Sequence, residues 1–336
     1  MSLSERNRRE FLQTAAVGSC AVAGMLHTSL LAQPVAGAES DAIPIIDTHQ
    51  HLWDLKTWDP PWLQTADPVL RARYTLDEYH QATAGLNVTQ AVYMEIDVAP
   101  ALHVAEAEAI TRLCQQPGSP TVAAVISGRP GEAGFAAYID RFRDNRYIKG
   151  LRQVLHAQAP RGLCLTDQFV RSVQHLGELG MSFDICMRPA ELSDAVELAR
   201  RCPHTNFILD HCGNGDPKAF MKSPPADEPP QHTVDSWRRE IGRLAEQPNT
   251  SCKISGIIAA APKSGWNVEM LAPIVNHCLD EFGPDRVVFG SDWPVCRLRA
   301  NYRDWVTALR QIVADRPKDQ QEKLWHGNAP RIYRLT

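Results

Sequence analysis

From residue 43 onward the chain alternates short β-branched apolar runs with amphipathic stretches. The apolar runs predict strands at 43–49, 88–96, 122–127, 147–155, 182–187, 206–211, 251–257 and 286–291. The stretches between them carry helical periodicity at 76–84, 104–114, 135–142, 167–179, 192–201, 234–246 and 268–282. Two further helical patterns, 303–313 and 320–333, follow the last strand. Eight strands alternating with helices predict an α/β fold, a (β/α)₈ TIM barrel. A doubly wound sheet is the alternative, but it would carry a Gly-rich turn after its first strand. Asp47–His51 contains no glycine.

Barrel enzymes work at the C-terminal ends of their strands, so the polar residues there come first. The first strand runs into Asp47-Thr48-His49-Gln50-His51, and a strand period of two puts Asp47, His49 and His51 on one face. Two imidazoles at a barrel mouth can share a divalent cation or jointly donate hydrogen bonds to one substrate oxygen. Against that stands a pair of ordinary loop histidines. The sixth strand ends Leu209-Asp210-His211, where His211 is either a ligand or a satisfied core histidine. The eighth ends Gly290-Ser291-Asp292-Trp293-Pro294. A carboxylate after a buried β-branched run is costly unless paired or working. Barrel closure brings Asp292 beside the first strand, where its expected role is to take a proton from water. A helix cap is the plainer role, and Pro294 suits a first helical turn.

Composition bounds the rest. Of 336 residues, 44% are hydrophobic and 22% charged, so the chain can bury a large core and is not intrinsically disordered. A net charge of −4 argues against a nucleic-acid partner, which needs clustered Lys and Arg. None of the nine cysteines forms a C-x-x-C pair; Cys186, Cys252 and Cys278 fall in apolar patterns and read as buried free thiols. The N-terminus reads as an address. Arg8-Arg9-Glu10-Phe11-Leu12, the weakly apolar stretch 15–32 and Ala36-Gly37-Ala38 form a charge, apolar run and cleavage site in order. The pattern resembles a twin-arginine export signal over residues 1–38, which implies a periplasmic protein of residues 39–336 without stable membrane insertion.

Taken together, Asp47-Thr-His49-Gln-His51-Leu-Trp53, Lys149-Gly-Leu-Arg152, Leu209-Asp-His211-Cys-Gly213, Cys252-Lys-Ile-Ser-Gly256 and Phe289-Gly-Ser-Asp292-Trp-Pro294 resemble the amidohydrolase superfamily. More narrowly they are similar to its amidohydrolase-related branch of sugar-lactone and 2-pyrone-4,6-dicarboxylate lactone hydrolases. The resemblance spans residues 43–336 and implies a TIM barrel that hydrolyses lactones. It implies that His49, His51 and His211 contact a metal or the scissile carbonyl, with Asp292 as general base and, where a metal is bound, a fourth ligand. Binuclear members carry a carboxylated Lys at the end of strand four and a His at the end of strand five. Here Lys149 lies near the start of strand four and strand five ends Cys186-Met187-Arg188. The expectation is one zinc-like divalent ion, or none.

Other residues suggest an oxygen-rich small molecule. Arg152 interrupts an apolar strand, and Lys253 and Ser255 share a face of the seventh. Each could bind substrate or form a structural ion pair. Trp53 and Trp293 are expected to contact substrate, whereas Trp58 and Trp62 are read as a hydrophobic cover or an oligomer contact. The long Pro-rich loop 213–232 reads as a lid or a substrate-shaping insertion. Three functions compete: a lactonase acting on a sugar aldonolactone; another amidohydrolase reaction, C–N hydrolysis or decarboxylation; and a periplasmic sugar-binding protein on a retired barrel. No G-x-S-x-G elbow supports a serine hydrolase.

Overall fold

Strand β1 (Ile45–Gln50) begins a run of eight parallel strands that pair in chain order. The others are β2 (Val88–Met94), β3 (Thr121–Ser127), β4 (Ile148–Leu155), β5 (Ser182–Met187), β6 (Phe207–Leu209), β7 (Thr250–Ile254) and β8 (Val287–Phe289). The computed structural model describes residues 43–156 and 159–335. The export-signal segment 1–38 lies outside the described residues, as do 39–42. Each predicted strand is present, and the architecture is the expected (β/α)₈ TIM barrel. Among the described residues no helix is long and apolar enough to cross a membrane.

The barrel closes without a regular ladder. Gln50 pairs with Trp293, the Thr48 hydroxyl donates to the Phe289 carbonyl, and Asp292 N–H donates to the His49 carbonyl at 3.0 Å. Ile46, Val92, Val125, Ile208 and Val288 form an apolar interior, against which Ile332 and Tyr333 of the C-terminal segment pack. The larger core lies between the strands and the surrounding helices.

Three strands stop earlier than the apolar runs suggest. β6, β7 and β8 end at Leu209, Ile254 and Phe289. Beyond them His211, Gly256 and Asp292 adopt left-handed backbone, with φ of 54°, 66° and 55°. Such dihedrals cannot continue a ladder, and at His211 and Asp292 they turn the side chains into the mouth. The single helix expected at 320–333 is also broken. Asn328 N–H reaches back five residues to the Lys323 carbonyl. The Asn328 amide donates to the carbonyls of Pro284 and Val287, and Pro330 opens a new turn.

The eight described cysteines are free; seven are buried and Cys114 is half-buried, as the apolar patterns suggested. Behind β2, the helix His103–Cys114 turns Glu106 inward, where Oε1 accepts from Tyr93 Oη and Ile96 N–H, each at 3.0 Å. Burial, followed by the nearby Glu95 carboxylate, pushes Glu106 up to about 7. The folded chain therefore holds a proton there that the unfolded chain, titrating near 4.5, releases. Its stabilising contribution is full below about 4.5 and is lost as pH rises through about 7. Glu106→Gln is expected to remove that loss, so that denaturant melts of variant and parent diverge more at pH 8 than at pH 5. Parallel pH profiles would contradict it.

Candidate active site

The first-strand histidines point where the barrel rule requires, but Asp47 does not. The β1–β2 register shifts between Asp47 and Gln50, and the two-residue alternation breaks there. Asp47 turns outward to Tyr79 and Tyr302, whose hydroxyls donate to Oδ2 at 2.8 and 3.1 Å. Its Oδ1 accepts from His49 N–H and Ser291 N–H at 3.1 and 2.8 Å. Asp47 thus clamps the closure seam from behind instead of sharing the face of His49 and His51.

Inside the mouth, three imidazoles converge on one carboxylate oxygen. The Nε2 atoms of His51, His49 and His211 stand 3.4, 3.6 and 4.0 Å from Asp292 Oδ1. Three chain-distant segments supply this set: β1 with the residue following it, the turn after β6 and the turn after β8. The cap role for Asp292 is not seen, because the short helix Val295–Leu298 begins at Pro294 without a side-chain cap bond.

Proton positions follow from the partners. His51 Nδ1 lies 2.9 Å from the Met94 carbonyl, an acceptor, so Nδ1 carries the proton and Nε2 offers a lone pair. His211 Nδ1 meets the Ser255 hydroxyl at 2.9 Å, and that oxygen also accepts from His211 N–H. His49 Nδ1 lies 3.4 Å from Asp210 Oδ1 and 3.0 Å from Lys253 Nζ, while an Arg152 guanidinium nitrogen lies 3.3 Å from Nε2. Burial and then Lys253 drive the His49 imidazole well below its ordinary range, so it is neutral at physiological pH. Burial likewise lowers His211, against the pull of Asp292 and Asp210.

Beneath the histidines lies a buried ionic floor. Lys253 Nζ sits 2.9 Å from Asp184 Oδ2 and 2.8 Å from Asp210 Oδ1, with its side chain wholly enclosed. Arg152 Nε pairs with Glu95 Oε1 at 2.6 Å, and a terminal nitrogen reaches Asp210 at 3.3 Å. Glu95 also accepts from the Ser127 hydroxyl and Asp97 N–H. Burial works against Lys253 and Arg152 as cations, but Asp184 and Glu95 respectively, each with Asp210, hold both above their usual values. Glu95, Asp184 and Asp210 were not singled out in the sequence. The rule applied to Asp292, a carboxylate in or just after an apolar strand, would have found them.

The residues expected to touch substrate are enclosed by other side chains. Trp53, Arg152, Lys253 and Trp293 are 2, 5, 0 and 2% exposed, and none lines the cavity beside His211. Trp53 packs edge-on against Trp62 and Tyr74, and Trp293 against Tyr74 and Tyr79. That cavity, about 240 Å³, is walled by His156, Arg188, His211, Asp216, Gln231 and Ile257, among others. Two of these belong to the predicted Pro-rich insertion, whose ends Asp216 ties together. Its N–H donates to His232 Nε2 and its Oδ2 accepts from Gln231 N–H. The insertion therefore shapes a wall of the mouth.

Two glycines are fixed by close approach. A Cβ on Gly256 would lie 2.1 Å from His211 Nδ1, and one on Gly290 would lie 2.8 Å from His49 Cβ. Gly256→Ala is expected to displace the His211 imidazole and to cost far more activity than stability. A crystal structure of the variant with His211 unmoved would refute this.

Two overlapping triplets, His49–His51–Asp292 and His49–Asp210–His211, each bring their ligand atoms within 4.8 Å of one another, a spacing that suits a divalent cation. A tetrahedral ion with bonds of about 2.05 Å separates its ligands by about 3.4 Å, close to the shorter Nε2–Oδ1 distances. Glu95, Asp184, Asp210 and Asp292 outnumber the cations Arg152 and Lys253 by two charges, and Asp210 backs His49 as a carboxylate behind a ligand would.

The amidohydrolase family model matches residues 46–335, nearly the whole described chain. The chain belongs to the amidohydrolase family. An L-fucono-1,5-lactonase of Burkholderia multivorans is 29% identical over 306 residues, covering 86% of this chain and 96% of its own length. An L-rhamnono-gamma-lactonase of Scheffersomyces stipitis is 25% identical over 233 residues, covering 61% of this chain and 66% of its own. The crystal structure of an amidohydrolase from Burkholderia multivorans matches with a TM-score of 0.77 at 25% identity, over 87% of this chain and 100% of that one. Another crystal form of a Burkholderia multivorans amidohydrolase has zinc bound and matches at a TM-score of 0.75, with 24% identity over 87% of this chain and 100% of that one.

Proposed function

We propose that this amidohydrolase opens a lactone ring, of the sugar-aldonolactone type, with Asp292 as the base. The observation that carries the reading is the convergence of three imidazole Nε2 atoms on Asp292 Oδ1 at the mouth of the barrel. The lactonase relatives support the substrate class.

The tautomers favour a cation at this point. His51 turns a lone pair inward, so it can hold a metal but cannot donate a hydrogen bond to a carbonyl oxygen. His49, His51, His211 and Asp292 offer the ligands for one zinc-like divalent ion, which would supply Lewis-acid polarisation of the ring carbonyl where it keeps or gains a coordination position for it. The chain's own residues do the rest. The cavity beside His211 receives the sugar ring and orients the carbonyl carbon towards Asp292. Asp292 Oδ2 takes a proton as water adds to that carbon, and then delivers it to the ring oxygen as the C–O bond breaks. The product is a hydroxy acid, which ionises and releases one proton per turnover. His49 stays neutral throughout, oriented by Asp210 and Lys253. The same proposal places the enzyme in the periplasm, exported through residues 1–38, on the sequence pattern alone.

Acid release by the purified protein against freshly prepared sugar lactones, with and without a chelator, tests the reading. Release above the spontaneous rate that falls on chelation is the expected result. A flat response across the panel would overturn the lactone assignment, and activity untouched by exhaustive chelation would overturn the metal.

A further inference from the structure

Three sulfurs meet behind His211. Cys212 follows it in the turn after β6, Cys252 lies on β7, and Cys278 lies on the helix Val268–Phe282. Their Sγ atoms all lie within 4.8 Å of one another, and all three residues are fully enclosed. They are free thiols. No sequence spacing announces the cluster, because the fold alone brings the three elements together.

We propose that Cys212, Cys252 and Cys278 form a binding site for a soft monovalent metal ion, copper(I), separate from the hydrolytic centre. Three sulfur ligands at about 2.3 Å around a trigonal ion stand about 4.0 Å apart, so the cluster needs little movement to close on one. The set contains no imidazole or carboxylate. Soft thiolates select copper(I), whereas zinc seeks a fourth ligand in structural sites. The surroundings are apolar, with Ile241, Ile274, Val275 and Leu279 in the same core, which suits a low-coordinate ion shielded from water. His211, which lines the cavity beside the hydrolytic centre, is followed in the chain by Cys212. Binding displaces thiol protons to solvent and changes no oxidation state. A packing role alone would be met equally well by three small hydrocarbon side chains.

The test is anaerobic titration of the reduced full-length protein with copper(I), in competition with a chromophoric copper(I) chelator. One equivalent is expected to be retained by the wild type and by His49→Ala, and lost in Cys252→Ala and in Cys278→Ala. Copper-edge X-ray absorption on the loaded wild type is expected to show three sulfur neighbours, a reading that does not depend on how the variants fold. Equal retention by both cysteine variants would overturn the site. So would loss of retention in His49→Ala, or a copper shell of nitrogen and oxygen.

Discussion

Asp292→Asn is expected to lower kcat for lactone hydrolysis by about 10²–10⁴-fold while leaving the fold and lactone binding in place. The substitution keeps the side chain's shape and removes its ability to take a proton. The contacts that hold Asp292 in its left-handed conformation are main-chain ones: its N–H to the His49 carbonyl at 3.0 Å, and Cys296 N–H to its own carbonyl at 2.9 Å. Both survive the change. The amide presents either an oxygen or an NH₂ group to the three Nε2 atoms, so retained metal is expected to fall as well. Measuring kcat and KM beside the metal content separates the two losses. Metal restored by high zinc concentration without restored turnover would identify a missing base. Near-normal turnover in a correctly folded variant would remove Asp292 from that role.

The barrel and much of its mouth were legible in the sequence for a common reason. Apolar β-branched runs long enough for a strand stand out against amphipathic helices, and a polar residue ending such a run must be paired or used. That logic points to His49, His51, His211 and Asp292, and the structure brings all four together. It failed at Asp47, where a register shift inside β1 reverses the face that a strict period of two assigns. It also stopped short of the ionic floor. Arg152 and Lys253 drew attention as cations in apolar strands, and both were left between substrate contact and ion pairing. In the structure both are ion-paired, Arg152 with Glu95 and Asp210, and Lys253 with Asp184 and Asp210. Which buried charge meets which depends on strand order and stagger, and one sequence does not encode that stagger locally. The left-handed turns at His211 and Asp292 were equally hidden, because neither residue is a glycine. Gly256 and Gly290 are visible in the sequence, and each leaves room for a histidine on another segment.

Lys253→Met is expected to destabilise the protein by about 3–5 kcal/mol, the usual cost of removing one partner from a buried charge set. The replacement is similar in length and apolar, so packing changes little and the loss reports the electrostatics. Without Nζ, Asp184 on β5 and Asp210 just after the neighbouring β6 keep Tyr333 Oη at 2.7 Å from Asp184, and Arg152 at 3.3 Å and His49 Nδ1 at 3.4 Å from Asp210. Urea melts of the single variant, of Asp184→Asn and of the double variant measure the coupling directly. The double variant is expected to be more stable than Lys253→Met alone, because a neutral amide removes the stranded charge. Activity adds a second reading. Lys253 also touches His49 Nδ1, so the variant is expected to lose turnover even at temperatures where it remains folded. A single variant within about 1 kcal/mol of wild type would show that water enters to replace the ammonium. The floor beneath His49 would then be wetter than its full enclosure implies. If stability falls and the double variant does not recover it, the loss belongs to packing around the lysine stem. The ionic floor would then serve the orientation of His49 more than the fold.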